Sequence, residues 1–397
     1  MGSVINLSLG VLELDWGKNS FFRNHSALFK RDDVRPAPYY YADGVVEEKA
    51  AYVRSLRSVV RRLDLLGYTV RACERLYDQT VATTPDYYPT PVLTFQQFAQ
   101  VMRNVDVAAV RMPEGDEDYD LGELAREVLT DPEFAKTNKR LAALSREEAT
   151  FFENLDPYIP LRLLAENPQN TATEVVWRFA DVLDGGWIAE GDLYEGVPQT
   201  DRCLVVTEGS SDGAILRESL SIVAPDVADF FEFVDMTDNY PFTGTGNLFR
   251  FCQGLARIKI QNRMLIVLDN DTAGQAAYRK ISALDLPPRT TVTLLPVLEE
   301  CRNVRTRGPS GGQYEDINGR AVSIEWFLDT SISDHPEPIV RWTAYNHEVD
   351  AYQGELIDKG AYVRHFFATI KRGEAPRVAK LVELWNHLIA SCATSGG

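Results

Sequence analysis

Two apolar runs that end in acidic residues constrain the fold of this chain more than any other feature. Leu204–Thr207 leads into Glu208, and Leu265–Leu268 leads into Asp269 and Asp271. Apolar, β-branched runs of this length are typical of buried parallel strands. Ligands of open α/β sheets bind beyond the carboxyl ends of such strands. We therefore expect the three acidic residues to lie together at one edge of a parallel sheet.

Carboxylates that converge at a sheet edge repel one another unless a cation is present. Oxygen ligands of this kind suit Mg²⁺. Asp269 and Asp271 are two residues apart, so their side chains face the same side of an extended chain. The sequence therefore predicts a magnesium site. Helix capping is the alternative explanation, because Asp212 and Asp271 also stand where helix N-caps are expected.

The spacing of these acidic residues resembles the TOPRIM domain shared by topoisomerases, bacterial primases and OLD-type nucleases. The matching segments are Glu208-Gly209-Ser210-Ser211-Asp212 and Asp269-Asn270-Asp271-Thr272-Ala273-Gly274, within residues 200–300. The resemblance implies metal-dependent cleavage of phosphodiester bonds. Asp269 and Asp271 would bind Mg²⁺ or Mn²⁺, and Asp212 would support them as a further ligand. Glu208 would transfer a proton or bind the metal.

A second metal could recruit one of three acidic residues that follow this core, namely Glu315, Asp316 and Glu325. Acidic residues are also common at the starts of helices, and that explains Glu325 equally well. No Gly-x(4)-Gly-Lys-Ser/Thr motif is present, so the ATPase half of an OLD nuclease is missing from the sequence.

The N-terminal part carries a second resemblance. Met1–Ile5, Leu14–Asn19 and Arg62–Tyr68 are similar to the HEPN/Toprim N-terminal domain, over about the first ninety residues. In bacterial proteins this module precedes a HEPN or a TOPRIM domain. The resemblance implies a role in conflict or anti-phage defence, but it implies no chemistry of its own.

The pattern of elements predicts an α/β protein in four parts. These are an N-terminal α+β module (1–90), a helical connector (91–198), a Rossmann-like TOPRIM core with a parallel sheet (199–300), and a C-terminal loop and helical extension (301–397). Helices are predicted over 45–66, 95–110, 121–143, 171–183, 338–370 and 376–392 from their periodicity. A linker is predicted at 83–91 and a loop at 307–312.

The net charge of −17 opposes binding to nucleic acid, because neutralisation of phosphates supplies most non-specific affinity. Basic residues are nevertheless clustered. We predict that Arg302, Arg305, Arg307 and Lys280 contact DNA or RNA, with simple surface solvation as the alternative for Lys280. The acidic run at 114–120 is interpreted as a solvated loop.

Composition narrows the cellular setting. The five cysteines are scattered without a Cys-x-x-Cys pair, which argues against a structural zinc site and a disulfide framework. A reducing cytoplasm is therefore expected. No apolar stretch reaches membrane-spanning length, so no membrane partner is expected. A nuclease in the cytoplasm must be restrained, so we expect a regulatory protein partner or a homo-oligomer.

The sequence leaves two other functions open. Arg341 and His347 match the loose Arg-x(4–6)-His pattern of HEPN ribonucleases, in which both residues act on one helix face. The chain would then be a ribonuclease through this pair. Alternatively, it is a sensor or scaffold whose acidic site binds nucleotide or nucleic acid without cutting it.

Overall fold

In the computed structural model, the chain folds into two compact units, Met1–Pro198 and Gln199–Gly396. The structure describes residues 2–41, 44–84, 93–110, 119–121, 124, 151–234, 244–258, 260–308, 311–332 and 337–394. The predicted linker at 83–91, the acidic run at 114–120 and the predicted helix at 121–143 lie almost entirely outside these residues.

The N-terminal unit is built on a six-stranded, mainly antiparallel sheet. Its strands are β1 (Val4–Leu9), β2 (Leu12–Lys18), β3 (Val34–Tyr41), β4 (Val45–Ser55), β5 (Tyr119–Asp120) and β6 (Glu174–Arg178). They lie in the order β3-β4-β6-β1-β2-β5. The strand β6, which is distant in sequence, therefore lies between β4 and β1 and joins residues past position 170 to the first fifty.

Helices pack against this sheet. They are α1 (Leu56–Leu65), α2 (Val70–Thr83), α3 (Phe95–Asn104) and α4 (Tyr158–Leu164), followed by the short α5 (Ala180–Asp184) and α6 (Glu190–Leu193). The larger apolar core contains residues from Ile5 to Leu193 and includes the fully buried Trp177, Phe98 and Phe152. Burial of such large rings supplies most of the driving force for folding. A smaller cluster packs Ala180 of α5 with Ala51 and Val176 of the sheet.

Two helix predictions in this unit are wrong in part. Residues 45–55 form β4, and only the second half of the predicted 45–66 helix is helical, as α1. The apparent periodicity counted Val46, which is exposed. The predicted helix at 171–183 contains β6, where Val175, Val176 and Trp177 are buried in succession. Pairing with distant strands outweighs local preference in both segments.

The C-terminal unit contains a four-stranded parallel sheet. Its strands are β7 (Cys203–Thr207), β8 (Phe231–Phe233), β9 (Arg263–Leu268) and β11 (Thr290–Leu294), in the order β11-β9-β7-β8. Every residue of β9 is buried, as expected for a central strand covered on both faces. The short β10 (Asn270–Asp271) pairs with β14 (Ala321–Val322) beside this sheet. The predicted α/β class with a parallel sheet is confirmed.

Five helices accompany these strands. They are α7 (Ser210–Val223), α8 (Thr245–Leu255), α9 (Thr272–Ser282), α10 (Lys359–Lys371) and α11 (Ala379–Thr394). Leu248 of α8 and Ile281 of α9 pack on Val206 and Ile266 of the sheet. Trp385 of α11 donates a hydrogen bond to Ser219 Oγ of α7 at 2.9 Å. The predicted helix at 376–392 is confirmed as α11.

A second four-stranded sheet follows the parallel one along the chain. It contains β12 (Val304–Gly308), β13 (Gly311–Glu315), β15 (Ile339–Asn346) and β16 (Ala351–Leu356), in the order β13-β12-β15-β16. The predicted helix at 338–370 is therefore wrong before α10. The predicted loop at 307–312 is instead mostly a β-hairpin, with residues 309–310 outside the described part of the chain.

Within the residues described, no helix combines the length and the apolar character needed to cross a membrane. The division into four domains predicted from the sequence stays a prediction.

Candidate metal centre

The acidic residues that follow β7 and β9 meet at the carboxyl edge of the parallel sheet. These two strands are adjacent, parallel and in register along their length. Glu208 and Asp269 therefore leave the sheet side by side. The backbone N–H of Asp269 donates a hydrogen bond to Glu208 Oε1 at 3.3 Å. The structure thus brings together two residues that are sixty-one positions apart.

Asp271 forms the N-cap of α9. Its Oδ1 accepts a hydrogen bond from the backbone N–H of Gly274 at 2.7 Å, and its Oδ2 accepts one from the side-chain amide of Gln353. A Cβ at Gly274 would lie 2.0 Å from the carbonyl oxygen of Asp269. Only glycine permits this approach, so α9 can begin directly beside the acidic strand end.

Gln353, on β16, holds this corner from a distant part of the chain. Its Oε1 accepts a hydrogen bond from the backbone N–H of Ala273 at 2.8 Å, while its amide nitrogen donates to Asp271. Both polar ends of the side chain are therefore engaged with the start of α9. The sequence gives no motif for Gln353, because its role depends on contact between remote segments.

Asp212 lies in the first turn of α7. Its Oδ2 accepts a hydrogen bond from the backbone N–H of Gly209 at 3.1 Å, and its Oδ1 accepts one from Ser211 Oγ at 3.2 Å. Helix capping is thus observed for both Asp212 and Asp271. Capping alone does not require these carboxylates to lie close enough together to repel one another, and capping residues that are exposed to solvent show no such repulsion.

Glu325 is the acidic residue after the core that joins this group. It lies in a 3₁₀ turn over Ile324–Phe327, only 3% exposed, and it accepts a hydrogen bond from Ser323 Oγ at 2.6 Å. The available sequence signal was a lone acidic residue within the apolar run 321–328, because carboxylates are rarely buried without a reason. Glu315 instead pairs with Arg320, and Asp316 lies near Arg302.

Lys359, the first residue of α10, is a cation at this site that sequence reasoning missed. Its Nζ lies 3.9 Å from Glu325 Oε1. Its positive charge also lowers the pKa of Asp212 and of Asp271, although other effects outweigh it. One partly exposed amine therefore faces several carboxylates, and it leaves most of their charge uncompensated.

Burial raises the pKa of Glu208, Asp212, Asp269 and Asp271, and repulsion from neighbouring carboxylates adds to the rise for the first three. Burial, then the charges of Asp271 and Asp212, raise the pKa of Glu208 to about 8. Burial, then the charge of Glu325, raise the pKa of Asp212 to about 6. Such shifts mark groups whose negative charge is costly in the folded protein.

The two aspartates after β9 are affected in different degrees. Burial, then the charges of Asp212 and Glu208, hold the pKa of Asp269 well above its usual range. Burial also raises the pKa of Asp271, but the hydrogen bonds from Gly274 and Gln353 oppose the rise. Asp269 is therefore the group whose charged form most needs a positive partner.

The cluster offers oxygen donors alone, which is the ligand chemistry that Mg²⁺ and Mn²⁺ accept. A divalent cation would satisfy charges that now repel one another, so the residues fit such an ion. In the described part of the chain, no three His, Cys, Asp or Glu side chains lie close enough together to hold one ion as they stand. The carboxylates would therefore have to close around a bound cation.

The residues predicted to contact nucleic acid differ in whether an acidic side chain pairs with them. Lys280 Nζ pairs with Glu348 at 2.7 Å. Arg302 pairs with Glu299 at 2.7 Å and lies 3.6 Å from Asp316. Arg305 and Arg307 are exposed on β12, and neither forms an ion pair with a residue that the structure describes.

The HEPN-type alternative lacks the geometry that it requires. Arg341 lies on the strand β15, where it pairs with Glu355, and not on a helix. His347 follows the end of that strand and contacts the ring of Tyr345. Six residues of extended chain span about 20 Å. The expected helix face shared by Arg341 and His347 is therefore wrong.

Comparison with known proteins identifies the first half of the molecule. The family model for the HEPN/Toprim N-terminal domain 1 matches residues 1–201, which is more than half of the chain. The chain belongs to this family. The HEPN/Toprim N-terminal match extends well past the first ninety residues to which the sequence motifs point, and it includes β6. Membership in the HEPN/Toprim N-terminal family indicates a nuclease-related function. No curated protein and no solved structure matches the chain.

Proposed function

We propose that the C-terminal unit is a TOPRIM-type domain and that the protein is a metal-dependent nuclease that hydrolyses phosphodiester bonds. The observation that carries the proposal is the group of carboxylates at the carboxyl edge of the parallel sheet. Their pKa values are raised by burial first and then by repulsion between like charges, and no ordinary structural role requires acidic groups to be buried together in this way. Membership in the HEPN/Toprim N-terminal family supports the same class of function.

The acidic residues divide the work in this proposal. Asp269 and Asp271 hold Mg²⁺ or Mn²⁺, with Asp212 and Glu325 completing the ligand set. When bound, the metal supplies an activated water and stabilises the negative charge of the leaving oxygen. Glu208 is left outside the metal ligands, so its carboxyl group, which accepts a hydrogen bond from the backbone N–H of Asp269, can pass a proton to the leaving oxygen.

Gln353 and Lys359 prepare the site in this proposal. Gln353 fixes the orientation of Asp271 through its hydrogen bond to Oδ2. Side chains that hold a metal ligand in place by a hydrogen bond are needed for full metal affinity. Lys359 presents a partly exposed amine beside Glu325. That amine can leave the carboxylate of Glu325 and pair with a phosphate oxygen of the substrate.

The setting that fits this activity is bacterial anti-phage defence, as the family resemblance implies. All five cysteines are free and buried, which suits a reducing cytoplasm. A cytoplasmic nuclease must stay inactive until it is needed. We therefore include a regulatory partner, a phage-derived trigger or self-association in the proposal.

A second candidate is a sensor or scaffold that binds nucleic acid or nucleotide without cutting. One observation favours it. Among the described residues, no three His, Cys, Asp or Glu side chains lie close enough together to hold a metal ion as they stand. In a sensor, closure of the carboxylates around a cation would occur without cleavage.

A cleavage assay separates these functions. Purified protein is incubated with single- and double-stranded DNA and RNA, with Mg²⁺ or Mn²⁺ and with EDTA. The nuclease proposal expects cleavage that EDTA and Asp269→Asn abolish but His347→Ala and the exposed control Glu374→Gln leave intact. Loss of cleavage only in His347→Ala would transfer the activity to the HEPN-type pair. Binding without cleavage under every condition would favour the sensor.

A further inference from the structure

The sheet that follows the TOPRIM-like core presents a row of arginines on one face. Arg305 and Arg307 on β12 are two residues apart, so their side chains point to the same face. Arg307 pairs in register with Arg341 of β15, and Arg305 pairs with Tyr314 of β13. Directly opposed residues share a face. We call these four residues the arginine face.

Burial shows which face of the sheet is open. Val304 and Thr306, which alternate with the arginines on β12, are buried, as is Val340 on β15. All four members of the arginine face are exposed, and Tyr314 is 58% exposed. The ring and the three guanidinium groups are therefore available to a ligand from solvent.

The charge on this face is mostly uncompensated. Arg305 and Arg307 form no ion pair within the described residues, and only Arg341 has an acidic partner, Glu355 at 3.1 Å. Both side chains of that pair are about half exposed or more, so the interaction is weak and easily exchanged. A chain with a net charge of −17 keeps three arginines together here, and this arrangement is complementary to a polyanion.

The arginine face is continuous with the candidate metal centre. Gln353 and Glu355 are two residues apart on β16, so they lie on one face of that strand. Glu355 meets Arg341 on the arginine face, and Gln353 donates a hydrogen bond to Asp271. The strand β12 lies two strands from β16, which is about 10 Å. A polyanion on the arginine face therefore passes close to the carboxylates.

We propose that the arginine face binds single-stranded nucleic acid and directs it to the carboxylates. The proposal rests on the proposed nuclease function and names its substrate class. Guanidinium groups contact phosphates, whereas an exposed tyrosine ring stacks on a base. A base is free to stack on a flat sheet only when it is unpaired, because the faces of duplex bases are occupied by their neighbours. The mixture of Arg305, Arg307 and Arg341 with Tyr314 thus suits a single strand.

Binding is measured by fluorescence anisotropy in EDTA, so that cleavage plays no part. The probes are labelled 12-nucleotide single strands of DNA and RNA and a DNA duplex of equal length. Wild type should bind the single strands at least about tenfold more tightly than the duplex. The double reversal Arg305→Glu/Arg307→Glu should weaken binding by more than tenfold and reduce the salt slope by about 1.4, at about 0.7 per lost phosphate contact.

Tyr314→Ala tests the stacking contact separately. It should weaken binding to single strands about fivefold or more and leave the salt slope and duplex binding unchanged, since stacking carries no charge. Arg372→Glu, an exposed arginine of α10's C-terminal end that pairs with Glu374, is the matched control and should bind like wild type. Equal affinity for duplex and single strand, or a double reversal that behaves like the control, would overturn the proposal.

The two proposals fail in different ways. If the arginine-face variants lose binding in EDTA but wild type cleaves nothing with any metal, the binding surface stands and the nuclease proposal falls. If Asp269→Asn abolishes cleavage while the double reversal binds normally, the nuclease stands and the arginine face is not its binding surface.

Discussion

In the N-terminal unit, buried ionisable side chains meet partners that balance them. His25 is 2% exposed, and its Nε2 lies 2.8 Å from Asp15 Oδ2 while its Nδ1 lies 3.1 Å from the hydroxyl of Tyr158. Burial lowers the pKa of His25 despite the nearby carboxylate. Arg23 pairs with Asp156 at 2.8 Å and lies over the ring of Tyr158. Each polar group in this cluster has an opposite charge or a hydrogen bond.

The carboxylates of the C-terminal unit are arranged in the opposite way. Burial raises the pKa of Glu208, Asp212 and Asp269, and the charges of neighbouring carboxylates raise each further. The charge of Lys359 opposes only part of the rise at Asp212. A folded protein gains no stability from unbalanced buried charges of one sign. The contrast supports the proposal that the unbalanced cluster binds a ligand that supplies the missing charge, whereas the balanced cluster stabilises the fold.

The largest expected effect is on catalysis. Asp269→Asn should reduce metal-dependent cleavage by more than about a hundredfold, beyond the roughly 10- to 100-fold effect usual for residues that only hydrogen-bond to a metal ligand. The measurement is the initial rate on a labelled single strand, at a fixed concentration of folded protein. Cleavage by Asp269→Asn at the wild-type rate would mean that the unbalanced cluster is not catalytic.

The balanced cluster provides the counterpart. Asp156→Asn removes the carboxylate that pairs with Arg23, so it should lower the free energy of unfolding by about 1 kcal/mol, since both side chains are about one-third exposed. Urea denaturation measures this change. The cleavage rate per folded molecule should match wild type. Loss of cleavage without loss of stability would show that the N-terminal cluster is also functional.

The next effect tests the support of the metal site. Gln353→Ala should weaken Mn²⁺ binding about tenfold, because Asp271 loses the amide that orients it. Isothermal titration calorimetry measures the dissociation constant, and Gln261→Ala, an exposed glutamine before β9, is the control. A change in stability with unchanged metal affinity would give Gln353 a purely structural role.

The parts of this site differ in how far the sequence predicts them. The runs before Glu208 and Asp269 are apolar throughout, so their strands and the adjacency of their ends follow from local pattern and from the rules for parallel sheets. Glu325, Gln353 and Lys359 reach the site from other segments. No local pattern encodes a contact between α10, β16 and the start of α9, so Gln353 and Lys359 emerge only from the folded structure. Glu325 is a candidate from the sequence, but only the structure separates it from Glu315 and Asp316.

The same limit explains the secondary-structure errors. The segment before α10 was predicted to be helical, yet Val340 is buried and Arg341 is exposed in a strand that pairs with both β12 and β16. The preference for a strand comes from these partners and not from the segment itself. The arginine face could not be predicted for this reason, because it exists only when β12, β13 and β15 are paired.

A moderate effect is expected on thermal stability. Millimolar Mg²⁺ or Mn²⁺ should raise the Tm of wild type by a few degrees, since a ligand at a hundredfold excess over its Kd adds about 2.7 kcal/mol. Asp269→Asn should melt at or above the metal-free wild type, because repulsion is relieved, and should respond little to metal. Differential scanning calorimetry measures both. An equal response to metal in the variant would place the divalent site elsewhere.

The smallest effect is on the pH dependence of stability without metal. Glu208 and Asp212 have folded-state pKa values of about 8 and about 6, above the ordinary values of 4.5 and 3.8. Between pH 4 and pH 8 these two groups therefore bind more protons in the folded state than in the unfolded state. The free energy of unfolding should fall as pH rises through this window, which is the reverse of the behaviour of a salt-bridged carboxylate.

Denaturation by urea in EDTA at several pH values measures the slope. Glu208→Gln should flatten it, whereas Glu374→Gln should not. Saturating Mg²⁺ should also flatten it, because a cation stabilises the charged carboxylates. If stability rises with pH in EDTA and Glu208→Gln follows wild type, these carboxylates are already balanced, and the contrast between the two units disappears.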